Sequence, residues 1–231
     1  MDTLKKHKSV IFFVVLIGFF TLSNLFARAA EEPGMLFEKV TRNDTTAVKD
    51  LITSGADIDQ QNEMYGHTPL IVACNLNYVE LAKLLISMGA DINLRGKDGS
   101  SALIAAGANS QELVELLLSK GADINARMVD GTGVFTQCIR GIFWDAVSIE
   151  LAELLLSKGV DVNEAPTSGD ATGFTNLIMA ANNNNEELVR FLIKNGADVN
   201  ARTSSGATAL SHAVKNEYQN IIDILKSNGA K

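Results

Sequence analysis

The chain is poor in the side chains that most metal and nucleophilic chemistry requires. Its 231 residues include only two Cys and three His, which leaves little material for a structural zinc site or a disulfide framework. Aromatic residues make up 6%, and five of the ten Phe (Phe12, Phe13, Phe19, Phe20 and Phe26) fall in the first 26 positions. Beyond them stand five Phe, three Tyr and one Trp, so any core there is aliphatic. Cations are outnumbered as well. Lys and Arg total 20 against 27 Asp and Glu, for a formal charge of −7. A chain so short of positive charge is not a non-specific nucleic-acid binder, because that affinity comes from Lys and Arg neutralising phosphates. What the chain does have is apolar content, 46% of its residues. That excludes a disordered tail, and the length allows one or two domains with a sizeable core.

Residues 1–29 read as an address. Lys5, Lys6, His7 and Lys8 precede an uninterrupted apolar run from Val10 to Phe20, and Ala27 and Ala29 place small residues at the −3 and −1 positions of a cleavage site. This is the layout of a secretory signal peptide, and the run is short for a membrane span. The alternative is an uncleaved anchor, since milder residues extend the stretch to Phe26. No Cys follows the cleavage site, so lipoprotein attachment is not expected. Removing this segment takes four of the 20 basic and one of the 27 acidic residues. The chain from Ala30 then carries 16 against 26, a net of −10. A periplasmic or secreted acidic protein is expected, without stable membrane insertion after cleavage.

The remainder is one motif repeated. Gly-Ala-Asp or a near match begins at Gly55, Gly89, Gly121, Gly159 and Gly196, and the chain ends on Gly229-Ala230-Lys231. Between these marks lie Thr68-Pro69-Leu70-Ile71-Val72-Ala73, then Ser101-Ala102-Leu103-Ile104-Ala105-Ala106, Thr175-Asn176-Leu177-Ile178-Met179-Ala180 and Thr208-Ala209-Leu210-Ser211-His212-Ala213. Gly133-Val134-Phe135-Thr136-Gln137-Cys138 is a degenerate version. A period near 33 residues with a Thr-Pro-Leu start resembles the ankyrin repeat, from about Leu36 to the last residue. The resemblance implies an all-α repeat solenoid of helix-turn-helix units with hairpin-like finger loops.

The local chemistry supports these elements. Thr68 suits a helix N-cap, and Pro69 suits the first helical position, where no amide donor is needed. Leu81, Leu84 and Leu85 recur at helical spacing, and Gly89 suits the left-handed residue that ends the second helix. Asn77, Asn109 and Asn184 fall between the two helices of their units, where Asn tolerates a left-handed turn. The expected organisation is a degenerate N-terminal capping repeat at 30–62 and repeats at 63–95, 96–127, 128–165 and 166–202. A C-terminal capping repeat follows at 203–231. Polar residues around sparse apolar ones fit the two ends, each of which has a neighbour on one side only. Two departures from the period stand out. About five extra residues fall in Arg140–Ala146, expected between the two helices of the fourth unit. About four fall in the finger Ala165–Gly173, and functional surfaces often use such insertions.

No catalytic grouping is expected. His67 and His212 lie four units apart and cannot share a site, since stacked helices sit roughly 8–10 Å apart. Cys74 and Cys138, two units apart, are expected as separate, partly buried thiols rather than a disulfide, which needs Cα atoms within about 7 Å. Asp57, Asp91, Asp123, Asp161 and Asp198 recur once per unit, which marks a turn role rather than paired carboxylates for acid–base work. No cofactor or metal is expected, and the chain is expected to be a monomer.

The resemblance implies a protein partner of unknown identity, held by fingertips and exposed first-helix positions. The matching positions are Arg95, Arg127 and Arg202, with Lys97 and Val129 beside them and Phe174 just before Thr175. Three Arg at one offset would suit carboxylates on a partner, through the planar donor fork of the guanidinium. Phe143 and Trp144 in the inserted segment are the other candidate contact, Trp being enriched in binding hot spots. A non-catalytic module acting in the bacterial periplasm or outside the cell follows, with a secreted factor aimed at a host protein as the alternative. An enzyme with a site built across repeats is the rival from another class.

Overall fold

The computed structural model describes residues 33–169 and 171–231. The leader, its cleavage site and Asp170 lie outside the described residues.

Twelve helices and no strand are present among the described residues. They run α1 (Pro33–Thr41), α2 (Thr45–Thr53), α3 (Pro69–Asn75), α4 (Val79–Ser87), α5 (Ala102–Gly107), α6 (Gln111–Ser119), α7 (Val134–Phe143), α8 (Ile149–Ser157), α9 (Asn176–Asn182), α10 (Glu186–Lys194), α11 (Ala209–Lys215) and α12 (Gln219–Ser227). They form six helix pairs joined by long fingers. Each first helix packs on its own second helix, and α1, α3, α5 and α7 pack in succession, as do α9 and α11.

The core is one aliphatic seam. Every second helix from α4 onward contributes a fully buried pair one turn apart: Leu81 and Leu85, Leu113 and Leu117, Leu151 and Leu155, Leu188 and Leu192, Ile221 and Leu225. That spacing puts both members on one helix face. The first helices are short because their ends are fixed chemically. Thr68, Ser101, Thr175 and Thr208 each accept the amide three residues on, closing the N-terminus.

Turn chemistry joins the units. Asp57 accepts the amide of Asp59, Asp59 that of Asp91, Asp91 that of Asn93, Asn93 that of Asp123, and Asp123 that of Asn125. The series resumes from Asp161 through Asn163, Asp198 and Asn200 to Lys231. Among the described residues no such bond joins Asn125 to the turn at Asp161. The once-per-unit carboxylates are therefore structural acceptors. The fingers are joined too, by backbone bonds from Lys97 to Tyr65, Val129 to Asp98, Thr167 to Asp130 and Ser204 to Thr172.

The fourth unit departs from the others on both sides. Its five extra residues do not form a loop alone: α7 has ten residues where the other full units have six or seven, and five residues rather than three then lead to α8. Phe143 is consequently the last helical residue, and Asp145 takes the left-handed turn at φ 54°. Where other first helices carry Ala73-Cys74, Ala106-Gly107 or Ala180-Ala181, α7 carries Cys138-Ile139. Larger side chains at a contact hold helix axes further apart, and α7 meets α9 less closely than other successive first helices meet.

One turn expectation changes, and so does the burial of the thiols. Asn77 and Asn184 are left-handed, but Asn109 is not. The third unit is one residue shorter between its helix starts, which removes the left-handed step. Asn109 instead donates its carboxamide to the carbonyls of Asn75 and Ala105. The thiols of Cys74 and Cys138 are free, as expected, but fully rather than partly buried. Burial pushes each up to about 12, because the thiolate loses its hydration.

Candidate binding face

Fingers and first helices share one face, and the sequence-derived candidates take different stations on it. Arg95 and Arg202 are exposed, and each folds back on its own finger. Arg95 donates Nε and Nη2 to the Gly99 carbonyl, and Arg202 donates Nη1 to that of Gly206. Arg127 is half-buried. Its Nη1 donates to the Ala126 carbonyl, and its Nη2 stands 3.4 Å from Glu164 Oε2. Lys97 is exposed, with Nζ on the Glu63 carbonyl. Val129 stands free at 72% exposure. Phe174 is half-buried, its ring edge-on to His212 with centroids 5.5 Å apart. Phe143 packs against the core, whereas Trp144 is 70% exposed. The inserted pair thus divides between an inward and an outward ring.

Trp144 walls a notch of ≈ 320 Å³ over the third unit. The notch exists because α5 is built from small residues. Ala105 and Ala108 lie at its floor, where α3 carries Val72 and Asn75 and α7 carries Gln137 and Arg140. Ile71 and Ile104 complete the apolar lining, and Met128 reaches in from the finger. Gly107 keeps the layers close, since a Cβ there would meet the Val134 carbonyl at 2.9 Å. Asn75, Asn109, Gln137, His67, Asp98 and Ser100 supply the polar lining.

His67, Ser100 and Asp98 bring an imidazole, a hydroxyl and a carboxylate together, but not as a nucleophile with its base. Ser100 Oγ donates to Asp98 Oδ1 at 2.6 Å, and His67 Nε2 lies 2.9 Å from the same Oγ. With its one proton directed at the carboxylate, the hydroxyl accepts from His67, which assigns the imidazole proton to Nε2. A catalytic base would instead take the hydroxyl proton and receive the carboxylate on its other nitrogen. Here Asp98 Oδ2 approaches the same Nε2, at 3.4 Å. Burial pushes the Asp98 carboxyl up, but the hydroxyl and amide of Ser100, with His67, outweigh it and hold the group below its ordinary value. The trio ties adjacent fingers together, and Asp98 remains ionised at neutral pH.

His212 is separate from this cluster, bonded through Nδ1 to Asn182 Oδ1 at 3.0 Å. Burial and the charge of Lys215 pull its pKa below the ordinary value. Glu164 is the functional-looking residue that sequence reasoning missed. It is buried, and Oε1 accepts the amides of Gly133 and Thr136 at 2.6 and 3.0 Å. Two signals were available: an acid where other fingers carry Ala126 and Ala201, and a Gly where other units carry a capping Thr or Ser. Among the described residues no group of acidic, His and Cys side chains could hold a metal ion, and no helix is long and apolar enough to cross a membrane.

A family model described as ankyrin repeats in three copies matches residues 36–128 and 143–231. Among curated proteins, the chain is 44% identical over 64 residues to protein phosphatase 1 regulatory subunit 27 of Homo sapiens, covering 28% of this chain and 41% of that protein. It is 34% identical over 74 residues to the 2-5A-dependent ribonuclease of Mus musculus, covering 32% and 10% respectively. It is 39% identical over 75 residues to the ankyrin repeat, SAM and basic leucine zipper domain-containing protein 1 of Oryctolagus cuniculus, covering 32% and 15%. The aligned part is thus less than half the length of each of these relatives.

Proposed function

Because the chain belongs to the ankyrin-repeat family, we propose that it is an exported, non-catalytic module that holds a protein partner on the face shared by fingers and first helices. The observation that carries this reading is the division of labour on that face. Groups able to do chemistry are tied into the scaffold: Ser100 to Asp98, His67 to Ser100, His212 to Asn182. Large contact groups are left outward: Arg95, Lys97, Val129, Trp144 and Arg202. A rigid surface with outward side chains recognises, whereas the Ser100 hydroxyl and the His67 imidazole serve as ties between adjacent fingers. One relative is, by its name, a regulatory subunit, which fits a binding role.

Export to the periplasm or beyond is supported by the basic leader, the apolar run Val10–Phe20 and the alanines at 27 and 29. N-terminal sequencing of the exported protein should begin at or near Ala30, and material still starting at Met1 would favour an anchor. Fractionation separates a periplasmic protein from one released toward a host partner. The binding role is tested by placing a photo-crosslinking residue at Val129 and, as a control, at the exposed Lys120 of the opposite helix layer. A discrete adduct formed from Val129 and not from Lys120 is expected. Adducts from neither, or from Lys120 only, would reject this face.

A further inference from the structure

We infer that the notch over the third unit receives one cationic side chain, Arg or Lys, from a basic segment of the protein partner. This deepens the partner-binding reading and rests on it. The notch admits one long side chain rather than a helix, whose diameter is about 10–12 Å. Its floor of Ala105 and Ala108, with Ile71 and Ile104, is apolar and short of side-chain bulk, the surface on which the methylene stem of Arg or Lys lies down while its head seeks polar partners.

The polar lining offers acceptors. Asn109 gives its amide to Asn75 and Ala105, and Gln137 gives its amide to the Met128 sulfur. This leaves Asn109 Oδ1 and Gln137 Oε1 without a donor among the described residues. The Ser100 hydroxyl is committed to Asp98, and the His67 Nε2 proton to Ser100. Asp98 Oδ2 has only the 3.4 Å approach of His67, so the ionised carboxylate keeps capacity for a charge-assisted bond. Lys97, the neighbouring cation, holds the Glu63 carbonyl, and Arg140 does not line the notch.

Trp144 adds an aromatic wall to the notch. Its ring walls an acceptor-lined cavity, and a cation against an aromatic face is attracted by the ring quadrupole. The acidic chain draws a basic partner from a distance. An anionic side chain would meet the ionised Asp98 as a like charge, and a neutral apolar one would bury that carboxylate unpaired.

The test uses three small probes, the N-acetyl methylamides of arginine, norleucine and glutamate, each to about 50 mM because a single such group binds weakly. Trp144 is the only Trp, so its fluorescence reports the notch alone, and the Ser100 and Ala105 amide resonances give a second readout. A saturable response to the arginine probe is expected, about tenfold weaker in Asp98→Asn, the worth of one charge-assisted hydrogen bond, and absent in Ala105→Met. That substitution fills the notch with the residue α9 carries at the same station, Met179, so the fold should accept it. No saturable response to arginine would overturn the inference. So would norleucine or glutamate binding as tightly, or an arginine response that survives Ala105→Met. If either variant fails to fold, the comparison of probes on the unaltered protein decides. A partner crosslinked at Val129 and held equally by both variants sinks the notch alone, whereas failure to crosslink sinks the wider reading.

Discussion

Glu164 Oε1 accepts the backbone amide of Gly133 at 2.6 Å, so a carboxylate from the finger after α8 closes the N-terminus of α7. In the other full units a Thr or Ser hydroxyl does this from within the helix's own cap. A side chain restored at Gly133 would displace the present arrangement, since a Cβ there would sit 2.7 Å from Arg127 Nη1 and 2.8 Å from Glu164 Oε2.

Glu164→Ala should destabilise the protein by about 0.5–2 kcal/mol, the range for losing an N-cap acceptor, and Glu164→Gln by less because it keeps an acceptor oxygen. Urea midpoints compared with the exposed Glu153→Ala check this. Equal midpoints for Glu164→Ala and Glu153→Ala would mean that the cap contributes nothing.

Leu117 is fully buried in the seam on α6. Leu117→Ala should lower stability by roughly 2–5 kcal/mol and loosen units on either side, since a solenoid's stability resides in nearest-neighbour interfaces. Hydrogen exchange should show lost protection in α4 and α8 as well as α6. A change no larger than that of Lys120→Ala would contradict the packing.

Most of the fold is legible in the sequence because its signals are local. Thr68 before Pro69, Gly89 after α4 and the Leu81/Leu85 spacing each act within a few residues, and each lands where the chemistry says. Glu164 and Gly133 are legible only together: each alone looks like decay of the motif, and 31 residues separate them. The notch is harder still. It depends on Ala105 and Ala108 being smaller than their counterparts and on Trp144 being carried there by an extra turn, relations between units rather than within one. Asn109 misleads for the reverse reason, its type fitting a left-handed turn that the shorter unit does not make.

The three finger arginines, alike in sequence, should behave differently. Arg95→Glu/Arg202→Glu should fold as the unaltered protein, within about 0.5 kcal/mol. Arg127→Glu places a second carboxylate beside the buried Glu164 and should lower the melting midpoint. If Arg95 and Arg202 meet carboxylates of the partner, the double reversal weakens binding, and the loss shrinks as salt rises. Unchanged affinity at low salt would remove them from the interface. Trp144→Ala is the matching probe of the inserted segment, because Phe143 also supports the core.

Cys74 and Cys138, pushed up to about 12, should be inert to a thiol-specific disulfide reagent at neutral pH and react together once the chain unfolds. The thiolate is the reactive form, and burial suppresses both its population and its accessibility. Rapid reaction of Cys138 alone in the folded protein would reveal local opening of the fourth unit.

The interrupted series of Asp and Asn turns has a mechanical consequence. Where each turn holds the next, a bend or twist imposed on one unit is handed along, so units before Asn125 form one stiff segment and those after Asp161 another. The missing link and the spaced contact of α7 with α9 border the same unit from opposite sides. The fingers still bridge this gap, from Val129 to Asp98 and from Thr167 to Asp130, so a load crossing the fourth unit is borne there by finger bonds where elsewhere the turns share it. A partner gripping both segments would adjust their relative angle by flexing the fourth unit while the rest keeps its shape.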